Sequence, residues 1–536
     1  MSHWLIFPIL VPAIVAPLLA LAVRNDLVLA RVFSFGSMAL LVLLGMFQLG
    51  MAADGTIRTY ELGNWPSPFG IVLVLDRLSA LMLLLCALLG LFVLLYAMSG
   101  CDQRGAHFHS LFQLQIMGIN GAFLTGDLFN LFVFFEILLI ASYGLMVHAG
   151  GAARVRAGIQ YVVVNLVGSV LFLLALGMIY SATGTLNMAD FARKVELVAP
   201  EHRAVLYTGT GLLLVVFGLK SAIVPLQFWL PGTYANTSGP VAALFAILSK
   251  VGAYSIMRVF LLAYGESAGE MAYFVRDWLV PAAAATLLLG MVGVVAARSL
   301  GQQASFAALA SLGTLFLAVG TFTQQSQTAG MYYMLHSTLA CAALFLLVDA
   351  VIIRRTGYGD ALLPAPRFQH LGLIASFYFV AAMGILGLPP LSGFIGKLLV
   401  LQAVTDLPQW GWLWAAILAS SVLGLVGFAY SGSLIFWKSG EVPGELQPVV
   451  AAVISSGGRP GCAIEYSGRP ISANIVLPMV AVGCLIGSVI LLTVFSGPVL
   501  AFLDATSQQL FSPADYLSAV LGDGEITIPV VPAGDH

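Results

Sequence analysis

Charged side chains are scarce in this sequence of 536 residues. Only 9% of the residues are Asp, Glu, Lys or Arg, and the formal net charge is −2. Nucleic-acid binding depends on a surplus of Lys and Arg facing phosphates, so this balance excludes nucleic acid as a partner. Hydrophobic residues make up 60% of the chain, far above the roughly 45–50% of soluble domains. The composition predicts an all-α polytopic membrane protein in a lipid bilayer.

Cysteine is also rare, and its spacing excludes several kinds of site. The five cysteines are scattered and form no CxxC pair: Cys86, Cys101, Cys341, Cys462 and Cys484. They predict neither a disulfide framework nor a zinc or iron–sulfur site. The sequence also lacks a Walker A motif, a GxGxxG motif between strand and helix, and a metal-ligand cluster. We therefore expect no cofactor and no bound metal.

Long apolar runs dominate what is present. About fourteen of them are long enough to cross roughly 30 Å of hydrocarbon: 4–23, 31–51, 71–98, 108–125, 127–148, 158–181, 205–229, 239–264, 277–297, 303–322, 329–353, 371–404, 411–437 and 473–497. The first run lacks a basic segment and a cleavage site, so we interpret it as a retained span rather than a signal peptide.

Lysine and arginine are unevenly distributed between the loops on the two sides of these spans. One side holds Arg24, Arg31, Arg104, Arg154, Arg156, Arg298, Arg354, Arg355, Arg367, Lys438, Arg459 and Arg469, and the other holds Arg58, Arg193, Lys194, Arg203 and Arg276. The richer side is cytoplasmic by the positive-inside rule, which puts both termini outside. Residues 438–472 are then a flexible cytoplasmic loop, and 473–536 are the last helix with an extracytoplasmic tail.

Four ionisable residues lie inside apolar runs. Glu136 lies in "LFVFFEILLI", Lys220 in "VVFGLKSAIVP", Lys250 in "LFAILSKVGAY" and Lys397 in "LSGFIGKLLVL". Charges at membrane depth are costly and usually mark an ion path. Snorkelling to the membrane surface is the alternative for Lys250. The spacing of the four groups predicts a chain of titratable sites through the protein.

Prolines accompany two of these lysines. "KSAIVPLQFWLP" follows Lys220, and "LGLPPLSGFIGK" leads to Lys397. Proline breaks the helical hydrogen-bond ladder, and such breaks persist in a membrane only where protein or a wet cavity covers them. The segments that start at residues 157 and 329 are similar to each other. Each begins with Ala-Gly and an apolar residue, has a Tyr four positions after the Ala, and ends in LFLL. Five helices separate them, which predicts two inverted repeats, each with a broken helix.

Three motifs connect the chain to a known family. "TGDLFNLFVFFEIL", "PLQFWLPGTYANTSGPVAALFAILSKVGAY" and "LPPLSGFIGK" resemble the proton-translocating antiporter-like proteins, which include membrane subunits of complex I and the D subunit of Mrp/Pha cation/proton antiporters. The resemblance covers roughly residues 70–435. It implies five-helix repeats at 108–264 and 277–437 after the helices of 1–107, with broken helices at 205–229 and 371–404.

The resemblance also implies roles for individual residues. Glu136 matches the glutamate that pairs with the lysine of the first broken helix, Lys220, and Lys250 matches a central relay lysine. Lys397 matches the lysine of the second broken helix. His336 lies on a helix that carries a relay histidine in several members, although a structural histidine is the alternative. Exchange of Na⁺ or K⁺ for protons in an obligate complex with other Mrp/Pha subunits, in the bacterial inner membrane, is the implied function.

Gln227 departs from the complex I pattern. Complex I subunits usually have a histidine where this chain has Gln227 in "PLQFWLP", and glutamine cannot take up a proton at neutral pH. Two alternatives to an antiporter subunit have to be considered. The first is a proton-pumping subunit of a complex I-like or hydrogenase-type enzyme, and Gln227 disfavours it. The intramembrane charges disfavour the second alternative, a passive membrane scaffold. A transporter subunit, not an enzyme, is predicted.

Four further charges outside this chain of groups also carry expectations. Asp127 follows "TG" and is expected to cap a helix. Asp349 is expected to pair locally with Arg354 or Arg355. Asp76 opens a span and is expected to anchor it, whereas the sequence assigns no role to Arg258.

Overall fold

The computed structural model describes residues 3–355, 357–440 and 475–522. Nearly all of the predicted loop 438–472, and the chain beyond 522, lie outside these residues. In the described part, two strands and nineteen α-helices follow one another: α1 Phe7–Leu21, α2 Leu27–Ala52, β1 Arg58–Glu61, β2 Val72–Leu75, α3 Arg77–Ala97, α4 Phe108–Leu124, α5 Leu128–Val147, α6 Ala152–Thr183, α7 Met188–Val195, α8 Pro200–Lys220, α9 Trp229–Asn236, α10 Gly239–Ala263, α11 Arg276–Ala296, α12 Leu300–Val319, α13 Gln324–Arg354, α14 Leu371–Leu386, α15 Ser392–Ala403, α16 Trp410–Gly432, α17 Val476–Val494, α18 Ser496–Leu510 and α19 Pro513–Leu521.

Every predicted span contains a helix. Within the described ranges, eleven helices are long and apolar enough to cross a membrane, and α1 and α14 are shorter apolar helices. The all-α membrane architecture is confirmed, while fourteen crossings and the division into repeats 108–264 and 277–437 stay predictions. The antiparallel pair β1–β2, which joins Arg58 to Leu75 and Glu61 to Val72, was not predicted.

Polar side chains start several helices where the sequence places them. The Asp127 carboxylate accepts a hydrogen bond from the backbone N–H of Asn130 at 2.7 Å, so Asp127 is the predicted N-cap of α5. Asp76 and Ser79 form a reciprocal capping box at the start of α3. Such side chains satisfy N–H groups that have no partner in the first turn of a helix.

Two helices are interrupted at prolines, as the sequence predicts. The first interruption, residues 221–228, separates α8 from α9 and contains Pro225. The second, residues 387–391, separates α14 from α15 and contains Pro389 and Pro390. Each interruption leaves backbone carbonyls at the end of the preceding helix without helical donors. These carbonyls become hydrogen-bond acceptors for the site described below.

Two helices form the centre of the molecule. Every residue of α10 is buried, and so are the residues of α13 from Ser326 to Val351. The two helices pack against each other, and α3, α12 and α15 surround them. Helices α2 and α6 instead expose about half of their apolar side chains. Since Lys250 and His336 lie on the central helices, they are held deep inside the protein.

Candidate functional site

Glu136 and Lys220 meet through helix α6. The Ser169 hydroxyl donates a short hydrogen bond to the Glu136 carboxylate and also contacts the backbone carbonyl of Asn165 at 3.1 Å. Lys220 Nζ donates to that same carbonyl at 3.3 Å and to Asn165 Oδ1 at 3.4 Å. The carboxylate and the ammonium act on each other electrostatically. The two residues are connected through Asn165 and Ser169, one turn apart on α6, and their direct pairing stays a prediction.

The first helix break holds Lys220 in place. Lys220 is the last residue of α8, and its side chain is 5% exposed. The Trp229 indole, which opens α9, donates to the carbonyl of Leu219 at 3.0 Å. The backbone N–H of Val224 donates to Thr286 on α11 at 2.9 Å. These bonds satisfy part of the broken ladder and fix the lysine beside the interruption.

Lys250 has no hydrogen-bond partner among the described residues. Its Nζ is buried, the residue is 0% exposed, and it lies near the middle of the fully buried helix α10. This position excludes snorkelling to the membrane surface. The ammonium acts electrostatically on Cys341 and His336, both on α13. A buried polar atom without a protein partner is the kind of group that ordered water satisfies.

His336 joins the two halves of the second broken helix. Its Nε2 lies 3.0 Å from the carbonyl of Gly384 on α14, and its Nδ1 lies 2.8 Å from the hydroxyl of Ser392 on α15. Because a carbonyl can only accept, Nε2 carries a proton, and Nδ1 of a neutral ring would accept from the Ser392 hydroxyl. The charges of Lys250 and Lys397 also act electrostatically on the ring. His336 is therefore a residue on which both lysines act.

Lys397 spans the same break from the other side. Its Nζ donates to the carbonyl of Leu386, the last residue of α14, at 2.8 Å and to the Ser421 hydroxyl on α16 at 2.9 Å. The residue is 5% exposed. The ammonium thus satisfies a carbonyl that the helix interruption leaves free. Both a fixed helix-capping charge and a proton carrier are compatible with this position.

The five sequence-predicted residues form two groups. Glu136 and Lys220 make the first, and Lys250, His336 and Lys397 make the second. Helices α8 and α10 pack against each other, which brings the groups into adjacent helices. In the described part of the chain, no hydrogen bond joins Lys220 to Lys250 directly.

Sequence reasoning missed the hydroxyl and amide groups that connect the charges. These are Asn165 and Ser169 on α6, Ser392 on α15 and Ser421 on α16. The signal for the first two is their spacing of four residues inside the segment that starts at 157, which puts both on one helix face. Gln227, whose buried Oε1 has no hydrogen-bond partner in the described residues, stands out in the sequence only as a departure from a motif.

The expectation for Asp349 was wrong. Its carboxylate accepts hydrogen bonds from the Tyr96 hydroxyl at 3.0 Å and from the Gly239 backbone N–H at 3.3 Å. Arg354 donates to the carbonyl of Ala350 in its own helix. Asp349 therefore caps the buried start of α10, because that helix begins inside the protein and its first N–H groups need acceptors.

Among the residues that the structure describes, no group of three or more His, Cys, Asp or Glu side chains could hold a metal ion. The chemistry available at the two groups is proton uptake, proton release and hydrogen bonding. These buried titratable residues, together with two interrupted membrane helices, define an integral membrane protein of the ion-translocating class.

The family follows from comparison with known proteins. Residues 125–424 match the family described as NADH:quinone oxidoreductase/Mrp antiporter, TM, and the chain belongs to that family. The D subunit of a probable K(+)/H(+) antiporter of Rhizobium meliloti (strain 1021) is 37% identical over 559 residues, covering 97% of this chain and 98% of that protein. The D subunit of the Na(+)/H(+) antiporter of Bacillus subtilis (strain 168) is 36% identical, covering 74% of this chain and 80% of that protein.

A solved structure is similar along nearly the whole chain. A chain of the Mrp complex from Dietzia sp. DQ12-45-1b is 28% identical and has a TM-score of 0.83, with 97% of this chain and 100% of that chain covered. The region of similarity therefore includes both helix breaks and both groups of titratable residues, and the protein is a multi-pass membrane protein. The antiporter names of its relatives group the protein with components of transporters rather than with enzymes.

Proposed function

We propose that this chain is the D-type, proton-translocating subunit of a multisubunit Na⁺(K⁺)/H⁺ antiporter. The observation that carries the proposal is the arrangement of five titratable residues in two groups. Glu136 and Lys220 are joined through Ser169 and Asn165, and Lys250 and Lys397 both act electrostatically on His336. Buried charges at membrane depth are retained where they serve an ion path. The antiporter names of the relatives give the exchanged ions, Na⁺ in one and K⁺ in the other.

In the first group, helix α6 couples the carboxylate to the lysine. While the Glu136 charge is held toward Lys220 by Ser169 and Asn165, the protonated lysine is favoured. A small movement of α5 or α6 weakens this attraction and lets the lysine release its proton through water toward Lys250. Each tenfold change in proton affinity corresponds to about 1.4 kcal/mol, so a modest helix shift can switch occupancy.

In the second group, the proton passes from Lys250 by way of His336 to Lys397. The neutral ring can accept a proton at Nδ1 once the Ser392 hydroxyl rotates away, and it can release one from Nε2 once its bond to Gly384 opens. Lys397 receives the proton at the second helix break. Broken helices are where water reaches the interior of transporters, which suits an exit at this position.

The face of α5 that carries Glu136 requires a partner subunit. Glu136 is half-buried, and the neighbouring side chains on the same face of α5 are open, with Phe129 47% and Ile140 65% exposed. A carboxylate facing lipid is costly, so we infer that another antiporter component covers this face in an obligate complex. The bacterial inner membrane, with both termini outside, is the proposed location.

The test compares two glutamates. In inverted membrane vesicles that contain the assembled complex, Glu136→Gln is expected to slow cation/proton exchange by at least about 100-fold, the scale for a positioned proton-transfer group. Glu201→Gln, at the exposed start of α8, is the matched control and should exchange at the wild-type rate. A pH-sensitive dye reports the exchange, and immunodetection of the other subunits reports assembly. Normal exchange by an assembled Glu136→Gln complex would contradict the proposal.

A further inference from the structure

Helix α10 carries a second cation beyond Lys250. Arg258 lies eight residues further along, about 12 Å along the helix axis. Its guanidinium holds the Asp76 carboxylate with two hydrogen bonds, from Nη1 at 2.5 Å and from Nη2 at 2.8 Å. Arg258 is 4% exposed and Asp76 is 2% exposed. The proton path proposed above uses neither residue, although both lie at the end of the Lys250 helix.

Aromatic side chains enclose this ion pair. The guanidinium carbon lies 5.5 Å from the ring centres of both Tyr254 and Tyr516. The Tyr254 hydroxyl accepts from Arg258 Nη2 at 3.2 Å and donates to the Phe123 carbonyl at 2.6 Å. Tyr516 belongs to helix α19, which packs against α7 and β1. The last described helix therefore contributes the Tyr516 ring to the enclosure of the ion pair.

The ion pair offers no exchangeable proton. Arginine keeps its proton at any physiological pH. Asp76 has both carboxylate oxygens engaged by Arg258, and one of them also accepts from the Ser79 backbone N–H at 2.8 Å. A carboxylate held by two charge-assisted hydrogen bonds and a backbone N–H stays ionised. Lys250 differs in both respects, because it can release its proton and has no hydrogen-bond partner in the described residues.

We propose that Asp76, Arg258 and Tyr516 form a proton block at this end of α10, which directs a proton on Lys250 sideways to His336. The proposal rests on the proposed function, in which Lys250 carries protons. Arg258 acts as a positioning residue, since it holds ionised the Asp76 carboxylate, which could otherwise accept a proton at this end of α10. Tyr516 keeps water away from the locked pair.

Other polar groups near the proton block would form a route for a proton if the hydrogen bonds between Arg258 and Asp76 were lost. Tyr254 stands one turn after Lys250 on α10, and its hydroxyl already contacts Arg258. The buried Tyr516 hydroxyl has no hydrogen-bond partner in the described part of the chain. The charge of Asp127 acts on it electrostatically. Freeing Asp76 would complete a series of hydroxyl and carboxylate groups from Lys250 toward the surface under α19.

The experiment measures passive proton entry rather than exchange. Inverted vesicles with the assembled complex, prepared in choline salts free of Na⁺ and K⁺, receive a thiocyanate diffusion potential, and an internal pH dye follows proton flux without the exchanged cation. Arg258→Gln should raise this flux at least about tenfold, because Asp76 then becomes a titratable acceptor. Arg258→Lys should also leak, since lysine keeps the charge but can release its proton. The double variant Asp76→Asn/Arg258→Gln should be as tight as wild type.

Each outcome decides between the block and a packing defect. Tight vesicles from assembled Arg258→Gln and Arg258→Lys complexes would overturn the proposal. A double variant that leaks as much as Arg258→Gln would overturn it too, since the leak would then not need the carboxylate. If Arg258→Gln fails to assemble, Arg258→Lys decides alone, because it keeps a cation beside Asp76 that, unlike arginine, can release its proton. Lys250→Ala separately tests the underlying function: retained exchange in that variant would remove Lys250 from the path, whatever the leak measurements show.

Discussion

At the scale of single residues, the small polar side chains decide how the charges communicate. The Glu136 carboxylate and the Lys220 ammonium both depend on one turn of α6, where Ser169 contacts the first and Asn165 contacts the second. In a low-dielectric interior, such bonds to charged groups are stronger than the same bonds in water. Ser169 and Asn165 therefore set how strongly Glu136 acts on Lys220.

Ser169→Ala should slow cation/proton exchange at least about tenfold, because a hydrogen bond to a charged group is worth about 1.5–3 kcal/mol. Ser181→Ala is the matched control, since Ser181 lies on the same helix, is exposed and only donates to the Met178 carbonyl at 2.8 Å. Dye-monitored exchange in vesicles measures both. Equal rates in the two variants would show that the α6 bridge does not matter.

Lys397 is the residue for which a structural and a relay role can be separated. Lys397→Ala should stop exchange under either role, because the carbonyl of Leu386 loses its donor and the break loses its charge. Lys397→Arg should also fail if the residue passes protons, since arginine retains its proton. Exchange assays on assembled complexes compare the two. Wild-type exchange by Lys397→Arg would make Lys397 a fixed cation and refute the relay at that position.

At the scale of elements, the second broken helix depends on a close approach of its two halves. Gly393, in the first turn of α15, faces the carbonyl of Gly384 and the ring of His336, and a Cβ there would lie 2.7 Å from His336 Nε2. The absence of a side chain at Gly393 lets α14 and α15 both reach the histidine. The geometry of the break and the position of the ring are therefore one structural unit.

Gly393→Ala should abolish or severely reduce exchange, because overpacking at a close contact costs about 1–3 kcal/mol and pushes α15 away from His336. Gly372→Ala, in the first turn of α14 with no atom within 4 Å of the added Cβ, is the matched control and should keep full exchange. Thermal stability of the purified complex and exchange in vesicles are the two measurements. Full exchange by Gly393→Ala would mean that the break tolerates separation of its halves.

At the scale of the whole molecule, one surface of the chain leaves a titratable residue and its apolar neighbours partly exposed. The face of α5 that carries half-buried Glu136 also carries exposed Phe129 and Ile140, whereas Lys250, His336 and Lys397 are enclosed by the chain itself. The Glu136 end of the proposed proton path is therefore less enclosed by the chain itself than the residues of the second group are.

Expressed alone, the chain should therefore insert into the membrane but show no exchange of Na⁺ or K⁺ for protons. The physical reason is that Glu136 would face lipid, where a carboxylate is costly to keep ionised. Reconstitution of the purified single chain beside the intact complex, with the same dye assay, checks this. Cation/proton exchange by the chain alone would refute the need for partners.

The sequence by itself determined the spans, the two helix breaks and the charges that lie inside the membrane. These features are local: hydropathy, proline and an isolated Lys or Glu act on the chain where they stand. The N-cap at Asp127 was predictable for the same reason, because capping involves neighbours within one turn.

Only the tertiary structure decided which residues meet. Asp76 and Arg258 are 182 positions apart in sequence, and no periodic pattern selects one carboxylate for one guanidinium. Asp349 bonds to Tyr96 and Gly239 rather than to the arginines beside it, since α10 begins against α13. Ser169 and Asn165 could be placed on one helix face, but their partners depended on how α5 and α8 pack against α6. Contacts between helices follow from packing of the whole chain, which a linear pattern does not contain.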